Sequence, residues 1–264
     1  MDLGLTGKVA LVAGASAGLG KAVALGLARE GAHVAMFSRD KARIESAAQE
    51  IRDATGAQVL AIAADMTRAE DVRRVVAETV RRFGTVHILF TNAGSGPPPG
   101  AFVALSEEQW KDALDLILLS AIRLSREVVP YMQKQKWGRI IHSGSYSVKH
   151  PIENLMLSNS IRSAVVALGK TQALELGKDG ILVNNVLPGW TGTERVGDIL
   201  LDRARRKNTS ERDELAAIEK EIPLGRVATT EEFANVVVFL ASERASYVNG
   251  VYLPVDGGIT RAPF

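Results

Sequence analysis

Val9-Ala10-Leu11-Val12-Ala13 runs straight into Gly14-Ala15-Ser16-Ala17-Gly18-Leu19-Gly20, and an amphipathic stretch follows as far as Glu30. The short apolar run reads as a strand and the periodic stretch as a helix. Between them, glycine permits a tight turn and lets an anionic ligand approach the backbone at a helix N-terminus. A glycine-rich turn alone is equally well a structural turn. Its position between a first strand and a first helix makes it a candidate dinucleotide cradle. Gly14, Ser16, Gly18, Leu19 and Gly20 are its residues.

The alternation continues along the chain. Strands are expected at Val9–Ala13, His33–Phe37, Val59–Ala63, Ile88–Thr91, Arg139–Ser143, Leu182–Leu187 and Val251–Pro254. Helices are expected at Gly20–Glu30, Lys41–Ala54, Ala69–Phe83, Ser106–Gln135, Leu155–Gly177 and Thr230–Ala241. Strand–helix alternation predicts a single α/β domain, a Rossmann-like doubly wound parallel sheet of about seven strands covered by helices on both faces. No linker or repeat divides residues 1–264. The charged segment at about 193–222 interrupts the alternation and is expected to form a helical substrate lid.

Open α/β sheets bind ligands at strand C-terminal ends. Asp65 and Met66 follow the third strand, Asn92-Ala93-Gly94 the fourth, and Pro188-Gly189 with Thr191 the sixth. All are candidate cofactor contacts, with Asp65 placed to accept from an adenine amino group. The second strand ends in Phe37-Ser38-Arg39-Asp40. A 2′-phosphate needs a cation, whereas a free 2′-hydroxyl is usually held by a carboxylate. Ser38 and Arg39 therefore favour NADP(H) over NAD(H), and Asp40 is better placed to cap the next helix. The alternative for Arg39 is a solvated loop charge.

Composition narrows the classes. With 32 basic and 30 acidic residues the net charge is +2, so neither nucleic acid nor a membrane is expected as a partner. Hydrophobic content of 46% and charged content of 23% are ordinary for a globular domain. No signal-peptide pattern opens the chain, and a cytoplasmic protein is expected. Cysteine is absent and the four histidines are scattered, so disulfides, thiolate catalysis and a metal site are not expected.

Several segments together resemble the short-chain dehydrogenase/reductase family, closest to its 3-oxoacyl-(acyl carrier protein) reductase-like members. They are Ala13–Gly20, Thr91-Asn92-Ala93-Gly94, Ile222-Pro223-Leu224-Gly225-Arg226 with Glu231-Glu232, Phe239-Leu240-Ala241-Ser242-Glu243, and Val255-Asp256-Gly257-Gly258. The resemblance runs from about Leu5 to Gly258. It implies a nicotinamide cofactor, a carbonyl or secondary alcohol substrate (a 3-oxoacyl thioester among the candidates), and a homotetramer or homodimer. It also implies a catalytic Asn, Ser, Tyr and Lys, and only the Ser is matched, by Ser145.

No tyrosine occurs between Tyr146 and Tyr247. Thirteen residues after Ser145, the tyrosine position holds Ser158, and the lysine position holds Arg162. The asparagine position, seven residues after Trp110, holds Ile117, and no Asn lies between Asn92 and Asn154. Serine is a much weaker acid than tyrosine, and arginine stays protonated. Spacing by four puts Ser158 and Arg162 on one helix face, both towards the pocket. Arg162 is the candidate holder of the nicotinamide ribose or of a developing oxyanion, and Ser145 the candidate substrate-orienting hydroxyl. Tyr146 and His150 are the alternative acids, against packing or loop roles; adjacent residues on an extended chain would turn Tyr146 away from Ser145. Arg203, Arg205, Arg206 and Lys207 are either a contact for an acidic carrier protein or a coenzyme A phosphate, or a solvated helix face. Two readings follow: a reductase with an altered proton path, or a degenerate dinucleotide-binding protein serving as sensor or partner subunit. Halohydrin dehalogenases share the arginine but keep the tyrosine and lose the glycine loop, which Gly14, Gly18 and Gly20 retain here.

Overall fold

The computed structural model describes residues 1–94 and 96–262. Seven strands form one parallel sheet: β1 (Val9–Ala13), β2 (His33–Ser38), β3 (Val59–Ala63), β4 (Ile88–Thr91), β5 (Gly138–Ser143), β6 (Ile181–Pro188) and β7 (Tyr252–Val255). Their order is β3-β2-β1-β4-β5-β6-β7. The order reverses between β1 and β4, so a crevice opens at the C-terminal ends of those two strands.

Alternate residues of each strand feed two cores. Ala10 and Val12 of β1 pack with α1 (Gly18–Arg29) and α2 (Lys41–Thr55) on one face. Leu11 and Ala13 pack with α3 (Ala69–Phe83) on the other. The long helix expected at Ser106–Gln135 is built in three pieces: α4 (Glu107–Ala113), a π-helical turn at Leu114–Leu119, and α5 (Ser120–Gln135). Ser120 takes up the loosened carbonyls, its hydroxyl donating to Leu116 O at 2.6 Å and Ile117 O at 3.4 Å. A periodicity reading cannot see one extra residue in a turn, so that break was not legible.

Next comes α6 (Met156–Leu176). The segment at 193–222 forms α7 (Glu194–Lys207) and α8 (Glu211–Glu221), joined at Asn208 in a left-handed conformation. The last helix, α9 (Thr230–Ala241), packs on α1's side of the sheet. Thr229 caps it through Glu232 N, and Ser106 caps α4 through Gln109 N. Among the described residues no helix is long and apolar enough to cross a membrane, and no His, Cys, Asp and Glu cluster could hold a metal.

His142 of β5 is fully buried, between Thr91 Oγ1 and Gln172 Oε1, each at 2.8 Å from a ring nitrogen. Burial pushes its imidazole down from 6.5 to about 4. His87, half-buried and accepting from Val9 N at 2.9 Å, is pushed down to about 4 by burial and then by Lys8. An unfolded chain takes up both protons near pH 6.5; the folded chain does not until about pH 4. Stability is therefore full above pH 6.5 and falls as pH drops towards 4, by about 3 kcal/mol for His142. Urea midpoints measured between pH 7 and pH 4.5 are expected to fall, and His142→Gln is expected to flatten that slope substantially.

Candidate active site

The crevice at the β1/β4 reversal opens into a cavity of about 760 Å³. Its floor starts at Gly14, which has φ of +61°, and whose missing Cβ would sit 2.6 Å from Asn92 O. Ser16, Ala17, Gly18 and Leu19 line the wall at the start of α1. Ala17, the N-cap of α1, offers no side-chain acceptor, so the first backbone N–H groups of the helix are left for a ligand. Gly20 does not line the cavity; it lets α1 lie directly on the carbonyl of Gly14. The cradle thus fits a pyrophosphate: uncapped donors at the helix start, and backbone packed close beneath.

Every other cofactor residue expected from sequence lines this cavity: Ser38, Arg39, Asp65, Met66, Asn92, Ala93, Gly94, Arg162, Pro188, Gly189 and Thr191. At the adenosine end, Asp40 caps α2 by accepting from Arg43 N at 3.0 Å, as its position predicts. Arg39 makes no ion pair among the described residues and is left facing the cavity. One oxygen of Asp65 accepts from Thr67 N at 2.9 Å and Thr67 Oγ1 at 2.8 Å, which fixes the carboxylate. Arg43 also lines this end, unforeseen in the sequence. It reaches Glu194 of α7, donating to both carboxylate oxygens at 2.8 and 2.9 Å. Its spacing of four from Arg39 was the available signal.

The other end gathers Ser145, Tyr146, Ser158 and Arg162. Arg162 is anchored by the end of β5: Nη1 donates to Ser143 O and Gly144 O, each at 3.0 Å, and Nε to Ser158 Oγ at 3.1 Å. The helix-face pairing of Ser158 and Arg162 is therefore realised as a direct hydrogen bond. Desolvation, and secondarily the charge of Arg195, lower Arg162 from 12.5 to about 10. It still carries its proton at neutral pH. Ser145 accepts from Ser147 N at 3.1 Å, keeping its own proton available.

Tyr146 corrects one expectation. A 3₁₀ turn starts at Tyr146, so extended-chain alternation does not apply and both Ser145 and Tyr146 line the cavity. The Tyr146 ring packs between His150 and Trp190, at centroid separations of 6.5 and 6.4 Å. Burial raises its phenol well above the usual tyrosine range. It is a poor acid in this setting. His150 is exposed and not among the lining residues.

Ile117 lies in the π turn and is buried with Ala93, Ala113, Leu157, Ile161 and Val165. An apolar cluster occupies the place implied for an asparagine, and neither Ile117 nor Met156 blocks the cavity. Trp137 packs under Lys8 and Arg139. Three of the four α7 cations named from sequence are tied down locally, Arg203 and Lys207 to buried Glu214 at 3.3 and 2.9 Å and Arg206 to Asp202 at 2.9 Å, while Arg205 is exposed. Sequence reasoning missed Thr193, which caps α7 and lines the cavity, and Arg195, whose Nη2 donates to Pro97 O at 2.6 Å. Both lie at the mouth of the segment read only as a lid.

The family model described as enoyl-(acyl carrier protein) reductase matches residues 14–260. A 3-oxoacyl-(acyl carrier protein) reductase from Vibrio cholerae is 36% identical over 259 residues, covering 97% of this chain and 99% of that protein. Its counterpart from Staphylococcus epidermidis is 33% identical over 255 residues, covering 96% and 98%. Among solved structures, L-sorbose reductase from Gluconobacter frateurii, complexed with NADPH and L-sorbose, superposes with a TM-score of 0.94 at 35% identity, covering 99% and 100%. The 3-ketoacyl-(acyl carrier protein) reductase from Brucella melitensis, complexed with NADH, gives 0.85 at 31%, covering 97% and 99%. With its seven-stranded parallel sheet, its glycine turn and matches spanning nearly the whole chain, this protein belongs to the short-chain dehydrogenase/reductase family, close to the 3-oxoacyl-(acyl carrier protein) reductases.

Proposed function

We propose that the protein is a nicotinamide-dependent carbonyl reductase that prefers NADP(H) and uses Arg162 where its relatives' pattern places a lysine. The observation that carries this reading is the Arg162 guanidinium, anchored on β5 and opening into the same cavity as the uncapped N-terminus of α1. When bound, a reduced nicotinamide supplies a hydride to the carbonyl carbon. The chain's own residues then manage the charge that appears on oxygen. Arg162 offers a fixed cation beside Ser158 and Ser145. A preorganised donor of this kind is worth about 10²–10³-fold in rate. It is not a practical proton relay, and Tyr146 is held above its useful range, so the proton comes from cavity water. Lack of a positioned acid costs about 10²–10⁴-fold, which leaves a slow enzyme rather than none.

Arg39 at the adenosine end supports NADP(H), since it faces the cavity without a carboxylate partner. The helices of 193–222 serve as the lid over the substrate end. Exposed Tyr252 and Leu253 on the edge strand β7, with Phe239 on α9, support a homo-oligomer formed through that edge.

NADPH consumption with ketones and 3-oxoacyl thioesters tests the reading. Arg162→Ala is expected to lower kcat by about 100-fold or more. Ser145→Ala is expected to lower it by about 10-fold, and Tyr146→Phe to leave it within about 3-fold. The wild-type rate should stay level from pH 7 to 9, because Arg162 keeps its charge across that range. Tight NADPH binding without turnover on the panel would instead support the sensor or partner-subunit reading, which the apolar burial of Ile117 favours.

For the cofactor, Arg39→Ala is expected to weaken NADPH binding by about 10- to 100-fold and to leave NADH within about 3-fold. Titration calorimetry checks both. Equal losses for the two cofactors would remove the case for NADP(H).

A further inference from the structure

The substrate end of the cavity contains two cations and no carboxylate bound to either. Arg162 spends Nε and Nη1 on Ser158 and on two backbone carbonyls, and its Nη2 donates to no described residue. Arg195, on the first turn of α7, reaches Pro97 O with one nitrogen, and its other two donate to no described residue. Both guanidinium groups belong to residues lining the cavity, and neither makes an ion pair within 4.0 Å among the described residues. Gly96 lies beside the Arg195 guanidinium, so no side chain there covers it.

Two unneutralised, partly desolvated guanidinium groups in one site repel each other and lack their preferred partner. Burial, then Arg195, depresses Arg162; burial depresses Arg195 as well, against the raising pull of Asp198 and Asp202. Asp198 lines the cavity but stands outside pairing distance. An anionic ligand would relieve this imbalance. The guanidinium fork matches a carboxylate in two-point geometry, and a partly enclosed pair of charges is screened less than a surface pair.

We propose that Arg195 is the receptor for a substrate carboxylate, with Arg162 at the reacting carbonyl, so that the substrate class is a free oxo acid rather than a neutral ketone. This rests on the carbonyl-reductase reading above and narrows it. In the step, a hydride from the reduced nicotinamide forms the new C–H bond and the C=O π bond breaks. The two electrons leave the cofactor, which becomes oxidised. The oxygen takes a proton from water, and the carboxylate is unchanged. The competing source of negative charge for Arg195 is the cofactor pyrophosphate, which would make it a cofactor residue instead.

The test uses the full-length protein with 2-oxohexanoate, 3-oxohexanoate and their methyl esters, with NADPH affinity measured in parallel. At least one acid is expected to exceed its ester in kcat/KM by about 10- to 100-fold. Arg195→Gln is expected to remove that preference through KM while leaving the ester rate and the NADPH Kd within about 3-fold. Arg206→Gln, outside the cavity on the same helix, should behave as wild type. An unchanged acid-to-ester ratio in Arg195→Gln overturns the proposal. So does a loss of NADPH affinity as large as the loss on the acid, which assigns Arg195 to the pyrophosphate. Should neither acid nor ester turn over, binding of the acids to the protein–NADP⁺ complex decides by calorimetry. Acid binding lost in Arg195→Gln upholds the carboxylate site while removing the reductase reading; intact NADP⁺ binding without acid binding overturns the site.

Discussion

Gly14 brings the end of β1 against the backbone of Asn92 and Gly94 at the end of β4, and the positioning of the site follows from that approach. A Cβ there would stand 2.6 Å from Asn92 O, and φ of +61° is strained for any side-chain-bearing residue. Because the approach is allowed, α1 can start immediately above the sheet with its donors uncapped. Gly20 completes the arrangement by letting α1 rest on Gly14. The reversal of strand order at β1/β4 turns that junction into the long crevice along which the cofactor residues from five strand ends are arrayed.

Charge at the far end of the crevice is arranged differently from charge elsewhere. On α7, Arg203, Arg206 and Lys207 are each paired with a carboxylate, and buried Glu214 ties α7 to α8. Arg43 and Glu194 join α2 to α7 across the adenosine end. Arg162 and Arg195 are held differently: carbonyl oxygens and a serine hydroxyl keep them in place without neutralising them. Unpaired cations enclosed in a cavity are candidates for ligand chemistry.

The replaced residues form a consistent set rather than scattered losses. Ile117 fills an apolar cluster beneath the π turn, where Ser120 satisfies the loosened carbonyls. Ser158 accepts from Arg162 Nε, and as an alcohol it is a far weaker acid than a phenol. Tyr146, the nearest remaining phenol, is locked between His150 and Trp190. The pocket stays open around these changes, so its shape is kept while its proton chemistry is altered.

The parallel sheet, the strand ends and the glycine cradle were legible in the sequence because they rest on local rules. Period-two and period-3.6 patterning set the elements, and glycine and cap residues set their ends. Spacing by four likewise put Ser158 and Arg162 together, since neighbours on a helix are fixed by its geometry. What depended on distant segments was not legible. The π turn, the 3₁₀ turn that brings Tyr146 to the cavity, and the meeting of Arg43 with Glu194 all arise from packing between elements far apart in sequence. Arg195 is the clearest case: on paper it is one more charge in a charged segment. Only the fold of α7 against the Gly96–Pro97 segment after β4 brings it into the cavity that Arg162 lines, because whether a charge is solvated or enclosed is decided by what the whole chain folds around it.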